Sequence, residues 1–304
     1  MPLGFPPLRI GLAASARHRS IPDGALFRLL APLERAIREE LRAELFVLGQ
    51  TCDALGAAKV LDAYPRLTRL PTRRDGGLIH LVAAVVSGDP SRRLDAVIYL
   101  LDPDDPTTVF PEGLALKREC VIHETVFIST LSHAREWFEL ARVECGFAPN
   151  RLLDTQFDFA SQTIALIAHD ARKDEMLEFV RGRFAFFDRF RRRIATGTTG
   201  ELLNDLAATM SPAPSHLPWV RRFHSGPLGG DAEIALEILE NRCRRAIFLE
   251  DPHVARQHEA DIQLLERSAW TTTERTMCVS DRASAEAWVA SCERRRLSRG
   301  RDAS

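Results

Sequence analysis

This 304-residue chain lacks paired cysteines, long apolar runs and an excess of either charge. Its cysteines (Cys52, Cys120, Cys145, Cys243, Cys278 and Cys292) are scattered, with no CxxC pair. That spacing argues against a disulfide frame or a zinc site and fits reduced thiols in a cytosol. No apolar run approaches the ~18–20 residues that a membrane span needs. The opening MPLGFPPLRIGL has no charged leader followed by a long apolar stretch, so it does not read as a signal peptide, and a cytoplasmic protein is expected. Lys+Arg number 41 against 42 for Asp+Glu. This balance argues against a general nucleic-acid binder or an acidic tail. Arginine is nevertheless clustered, at Arg191-Arg192-Arg193, Arg244-Arg245 and Arg294-Arg295-Arg296, and each cluster reads as a solvated face or a loose end.

What is present is the composition of an ordinary globular protein, 45% hydrophobic and 27% charged, in a chain long enough for two domains. The C-terminal half alternates short apolar runs with longer amphipathic ones. IALIA at 164–168 reads as a buried strand, and Met176, Leu177 and Val180 lie at helical spacing within 171–182. Further strands are expected from Phe190 to Ala195, from Val220 to His224, over AIFLE at 246–250 and near 275–279. Helices are expected from about Glu201, from Asp231 to about Glu240, and over 259–269 and 283–291. Such alternation implies a parallel sheet covered on both faces.

The N-terminal half repeats this order. IGLAA at 10–14 corresponds to IALIA, FVLGQTCDAL at 46–55 to IATGTTGELL at 194–203, and AVIYLLDPDD at 96–105 to RAIFLEDPHV at 245–254. A period near 150 residues is too long for a solenoid repeat, so the expectation is α/β with two similar doubly wound parallel-sheet (Rossmann-like) domains in tandem. The expected division is 1–150 for a degenerate copy, 157–292 for the copy that carries the chemistry, and 293–304 for a disordered basic tail.

Ligands of an open parallel sheet bind beyond the carboxyl ends of its strands. In the second half these ends carry His169, Asp170 and Lys173, then Thr196-Gly197-Thr198-Thr199-Gly200, then Ser225-Gly226 through Gly230-Asp231, and then Asp251, His258 and Asp261. Glycines and helix N-termini let backbone N–H groups approach an anion, hydroxyls add donors, and Lys173 adds a point charge. Together they describe a phosphate cradle. A carboxylate such as Asp231 can take a proton from carbon next to a carbonyl, and a histidine such as His258 can move protons between enediol oxygens. Each piece alone has a plainer reading. A glycine-rich turn is usually a turn. Asp231 and Asp170 suit an N-cap, His169 a satisfied interior, and Asp251-Pro252 a strand-ending turn. The convergence of four such loops favours a site.

The stretches IALIAHDARK (164–173), ATGTTGELL (195–203), HSGPLGGDAEIA (224–235) and FLEDPHVARQHEADIQLLERSA (248–269) resemble methylglyoxal synthase, in that family's order and at about its spacing. The resemblance implies a lyase that converts dihydroxyacetone phosphate to methylglyoxal and inorganic phosphate, a bypass of glycolysis, with no metal or organic cofactor. It implies that Asp231 is the base and that His258 moves protons among the enediol oxygens. Lys173, Thr198, Thr199, Ser225 and Gly226 would bind phosphate, and His169, Thr196 and Gly197 would line the substrate site. Asp170, Asp251 and Asp261 would support it, the last two by orienting His258. The family assembles as homohexamers, so a homo-oligomer is implied, as a trimer of two-domain chains or a hexamer. No nucleic-acid or membrane partner is implied.

This chain departs from the family pattern at several places. Ala232 and Glu233 stand where glutamines are usual, His253 where leucine is, Gln257 where proline is and Glu266 where arginine is; Val279-Ser280-Asp281-Arg282 replaces an asparagine-containing run. The N-terminal copy departs further. Ser15-Ala16 replaces His169-Asp170, Arg19 lies near the Lys173 position, Leu48-Gly49-Gln50-Thr51-Cys52 replaces TGTTG, Gly76-Gly77 precede Leu78, and Val109 takes the place of His258. Without base or shuttle, that copy is expected to be catalytically inactive. The alternatives are a non-enzymatic, metabolite-sensing module of the same fold, or a lyase acting on another small phosphorylated ketose.

Overall fold

The computed structural model describes residues 6–210, 213–214, 216–253 and 259–302. Contacts group Met1–Asn150 with Ser291–Ser304 in one compact unit and Arg151–Ala290 in another.

The first unit is built on a five-stranded parallel sheet of β1 (Arg9–Ala14), β2 (Glu44–Val47), β3 (Leu67–Arg69), β4 (Ala96–Leu100) and β5 (Val126–Ile128), in the order β3-β2-β1-β4-β5. The second unit has β6 (Thr163–Ala168), β7 (Arg192–Ala195), β8 (Arg221–Arg222), β9 (Arg245–Leu249) and β10 (Met277–Val279). Its order, read in the same sense, is β8-β7-β6-β9-β10, and every pairing is again parallel. Two copies of one α/β architecture thus lie in tandem. The central strands β4, β6 and β9 are buried along their whole length, as expected for a sheet covered by helices on both faces. The edge strands β3 and β8 are short and largely exposed, which limits edge-to-edge association. The strand order reverses beside β1 in one unit and β6 in the other, so each sheet has its crevice at the carboxyl ends of β1 and β4, or of β6 and β9.

Several element boundaries differ from the sequence expectation. Phe190 precedes β7, because a short helix Phe184–Asp188 turns the chain and packs Phe186 and Phe190 against Phe159 at ring separations of 5.3 and 4.7 Å. The helix expected from Glu201 begins at Gly197, so the TGTTG run is itself the first turn of Gly197–Ala208. Of the segment 293–304 expected to be a disordered tail, residues 293–302 are the end of one 21-residue helix, Arg282–Asp302, and the last two lie outside the described residues. Asp281 opens it by accepting the Ser284 N–H at 2.7 Å.

The arginine clusters are not simply solvated faces, for each places one guanidinium inside. Arg193, Arg245 and Arg295 are buried at 0%, 4% and 2% exposure. Burying a charge is costly unless its donors are met, and the five-donor guanidinium fork can meet several acceptors at once. Arg193 donates to the carbonyls of Trp219, Phe187, Asp188 and Phe190 at 2.9, 3.0, 3.2 and 2.8 Å. Burial pushes its pKa down to about 10, with the nearby Asp188 opposing. Arg245 donates to Gln162 at 2.8 Å and lies over the rings of Phe159 and Trp288 at 5.1 and 5.5 Å. In the first unit Arg295 donates to Glu139 at 3.1 Å and to the Asn150 carbonyl at 2.8 Å. That ion pair fixes the end of the last helix. All six cysteines are free thiols, and burial pushes that of Cys243 up to about 12.

Candidate functional site

His169 and Asp251 meet at the crevice of the second sheet. His169 follows β6 and its backbone N–H donates to the Leu249 carbonyl of β9 at 3.1 Å. Its Nδ1 accepts the backbone N–H of Asp251 at 2.7 Å. An Nδ1 that accepts leaves the proton of the neutral imidazole on Nε2, so the ring acts as a donor on its far side. The edge of Phe248 packs on the ring with centroids 4.8 Å apart, which fixes its plane. The Asp251 carboxylate is turned to its own loop, accepting the His253 N–H at 3.0 Å. His258, the histidine it was expected to orient, lies outside the described residues, as does the side chain of Asp261.

The loops after β7 and β8 are joined to each other. Gly197 donates to the His224 carbonyl at 2.9 Å. A Cβ on Gly197 would stand 2.9 Å from the Ser225 nitrogen, so this contact admits no side chain. Thr196 is buried just before the helix and Thr198 is exposed on its first turn. Thr199 is 2% exposed, and its Oγ1 has no hydrogen-bond partner among the described residues. A buried hydroxyl without a partner is costly, and here it lies in a glycine-rich helix start, where backbone N–H groups and the helix dipole favour an anion.

The next turn brings in Asp231. Ser225 accepts the N–H groups of Leu228 and Gly230 at 2.9 and 3.0 Å, and Gly229 takes a left-handed φ of +94° that favours glycine. A Cβ on Gly230 would overlap the His224 carbonyl. This folding-back places the Asp231 carboxylate over Gly226, where a Cβ would come within 2.7 Å of Oδ2. Asp231 is half-buried in the first turn of helix Gly230–Leu239. Lys173 opens helix Lys173–Gly182, and its Nζ lies 2.6 Å from Asp170, whose side chain is almost fully exposed.

Sequence reasoning missed one pair at this edge. Glu233 accepts both the backbone N–H and Nδ1 of His224, each at 2.9 Å. The backbone hydrogen bond from His224, followed by the ring contact, holds the Glu233 carboxyl below its ordinary range. The visible signal was an acidic residue in place of glutamine, and only the turn shows that it faces a histidine nine positions earlier.

No family model matches the chain. Over 104 residues, 34% of its length, it is 40% identical to a methylglyoxal synthase of Carboxydothermus hydrogenoformans, covering 78% of that protein. Over 106 residues, 35% of its length, it is 39% identical to a methylglyoxal synthase of Thermus thermophilus, covering 76% of it. Among solved structures, methylglyoxal synthase from Elizabethkingia anophelis matches at 31% identity and a TM-score of 0.35, over 43% of this chain and 78% of that one.

Proposed function

The chain belongs to the methylglyoxal synthase family, and on that premise we propose that its second unit converts dihydroxyacetone phosphate to methylglyoxal and inorganic phosphate. One observation carries the reading: the Asp231 carboxylate rests on Gly226, in a turn bonded to a helix start that holds the Thr199 hydroxyl, which has no partner among the described residues. Base and anion cradle are therefore parts of one local construction.

The substrate phosphate sits at the N-terminus of helix Gly197–Ala208, taking donors from Thr198, Thr199, Ser225 and the Gly226 backbone, with the charge of Lys173 beside it. Asp170, now paired with Lys173, yields that lysine to the dianion. Thr196, Gly197 and His169 line the carbon chain, and the Nε2–H of His169 donates to the substrate carbonyl. Asp231 removes a proton from the hydroxymethyl carbon, and the electron pair moves into the carbonyl to give the enediolate. His258 moves a proton between the two enediol oxygens, with Asp251 and Asp261 supporting its loop. Electrons returning from the enediolate break the carbon–oxygen bond to phosphate. The enol released takes up a proton at carbon and becomes methylglyoxal. No metal or organic cofactor takes part. The first unit has Leu78 where the second has Asp231 and does not run these steps. The chain acts in the cytoplasm as a homo-oligomer, either a trimer whose six units fill a hexameric ring or a hexamer of chains. A monomeric solution mass would overturn that assembly. Among the described residues no helix is long and apolar enough to cross a membrane.

The test follows phosphate and methylglyoxal released from dihydroxyacetone phosphate by wild type and by Asp231→Asn. Loss of the base is expected to lower turnover by ~10²–10⁴-fold while inorganic phosphate still binds. A folded wild type that releases neither product overturns the reading, and an unchanged variant removes Asp231 from the mechanism.

A further inference from the structure

The two units share their backbone construction at the carboxyl edge so closely that residues correspond one to one. In the first unit the Ser15 N–H donates to the Leu100 carbonyl at 2.9 Å and Ser15 Oγ accepts the Asp102 N–H at 3.3 Å, matching His169, Leu249 and Asp251. Gly49 donates to the Pro71 carbonyl at 3.1 Å, as Gly197 does to His224. Gly76 has a φ of +84°, and a Cβ on Gly77 would overlap the Pro71 carbonyl, as at Gly229 and Gly230. Gln50, Thr51, Thr72 and Arg73 therefore stand where Thr198, Thr199, Ser225 and Gly226 stand.

The groups that face a ligand in one unit are already engaged in the other. Thr51 Oγ1 accepts the Ala14 N–H at 3.1 Å, whereas Thr199 Oγ1 has no described partner. The backbone N–H of Arg73, counterpart of Gly226, donates to Gln50 Oε1 at 3.0 Å. The Arg73 guanidinium donates to both the hydroxyl and the carbonyl of Thr107 and lies 5.2 Å from the centre of the Phe110 ring. Thr107 in turn donates its backbone N–H and its hydroxyl to Asp105, at 2.9 and 2.5 Å. Ala16, just past β1, gives its backbone N–H to the same carboxylate. Burial raises the Asp105 pKa, but the hydrogen bonds from Thr107, the Arg73 charge and the Ala16 N–H outweigh it and hold the carboxyl below its ordinary range. Asp105, Thr107, Arg73 and Gln50 thus tie the loops after β1, β2, β3 and β4 together.

We infer that the first unit is self-liganded: the Asp105 carboxylate, held by Ala16 and Thr107 with the Arg73 guanidinium seated on Thr107, stands in for the anion, so this cleft takes no phosphate or phosphate ester. The chain then binds phosphate at one unit only. The occupied cleft gives the inactive copy a structural use, since an internal carboxylate bridges loops that an open cradle would leave apart.

Residue-resolved NMR of the full chain, titrated with inorganic phosphate, tests this. In wild type the amides of Ala16, Gln50 and Arg73 are expected to stay in place. In Asp105→Ala, which removes the internal anion and frees its donors, the same amides are expected to shift with added phosphate. Asp105→Asn keeps the shape and serves if the alanine variant unfolds; with the charge gone, phosphate again moves these amides. First-unit shifts in wild type overturn the inference, and so does a folded variant whose first-unit amides ignore phosphate. The amides of Thr198, Ser225 and Gly226 report on the second unit in the same spectra, so failure of the proposed lyase site is read separately.

Discussion

Substituting Gly226 with alanine probes the construction of the second unit's site most directly. Gly226 lies outside the left-handed region, so alanine is compatible with its backbone. The added Cβ would stand 2.7 Å from Asp231 Oδ2, against the 3.4 Å at which ordinary contact begins. The carboxylate must therefore retreat by about 0.7 Å, the difference between those two distances. A displacement of 1 Å in a reacting group costs up to about 10²-fold in rate, so the variant is expected to lose roughly 10- to 100-fold in kcat. That corresponds to about 1.4–2.7 kcal/mol of barrier. Because the side chain can move without breaking the turn, unfolding free energy is expected to fall by about 1 kcal/mol or less. The assay pairs steady-state methylglyoxal formation with calorimetric titration of inorganic phosphate, which is expected to bind within a few-fold of wild type. An unchanged kcat in a folded variant would refute the claim that Asp231 acts from its seat on Gly226. A loss of phosphate affinity equal to the loss of rate would place the damage in the cradle instead.

The fold class was legible because the physics behind it is local. Runs such as IALIA and AVIYL are apolar on every residue and short, which suits a strand buried on both faces, and the Asp-Pro turns after β4 and β9 repeat at one spacing. Boundaries were less legible where tertiary packing decides. Nothing in Phe190-Arg191-Arg192-Arg193 announces that the phenylalanine joins an aromatic cluster before the strand begins, or that only the last arginine points inward. Charge alone suggested solvent for the final segment, whereas Arg295 finds Glu139, which is 156 positions away in the chain. For the site, the motifs located the loops, and the structure joins them in two pairs, those after β7 and β8 through Gly197 with His224 and those after β6 and β9 through His169 with Asp251. The turn toward His258 lies outside the described residues. The pairing of His224 with Glu233 needed three dimensions.

The duplication separates what the architecture requires from what the chemistry requires. Gly77 and Gly230 occupy positions where any Cβ would strike a backbone carbonyl, so both copies hold glycine whatever they bind. Ser15 and His169 share no chemistry beyond an acceptor atom, yet each takes the backbone N–H of the aspartate after the neighbouring strand. Those positions secure the loops. The copies diverge at Thr198 against Gln50, Gly226 against Arg73 and Asp231 against Leu78, where Gln50 and Arg73 bond neighbouring loops and Leu78 is buried. Glycine and Asp-Pro matches between the halves are therefore evidence of common architecture, and the positions where the copies diverge are the ones that bear on activity.

Two further outcomes follow from side chains outside the reaction. Arg295→Ala removes one partner of an ion pair whose side chains are only 2% and 1% exposed, so unfolding free energy by urea titration is expected to fall by about 3 kcal/mol, the lower end of the range for breaking a buried pair. The lower end applies because Glu139 keeps Arg142 at 2.9 Å and the Asn150 N–H at 2.7 Å; an unchanged midpoint would show that the last helix is not held by this pair. Glu233→Gln tests the turn that carries Ser225 and Gly226 through its dependence on pH. The folded-state pKa of Glu233 is held below its ordinary value of 4.5 by the His224 N–H and ring, so the folded protein keeps the carboxylate charged at a pH where the unfolded chain has begun to protonate it. Its contribution is therefore complete above the unfolded value and is lost as pH falls through the folded one. Wild type is expected to exceed the variant in stability at neutral pH, with the gap closing as the solution is taken below about pH 4.5. A gap that stayed constant through that range would mean that the carboxylate charge plays no part, and that the turn is held by hydrogen-bond geometry which the amide reproduces.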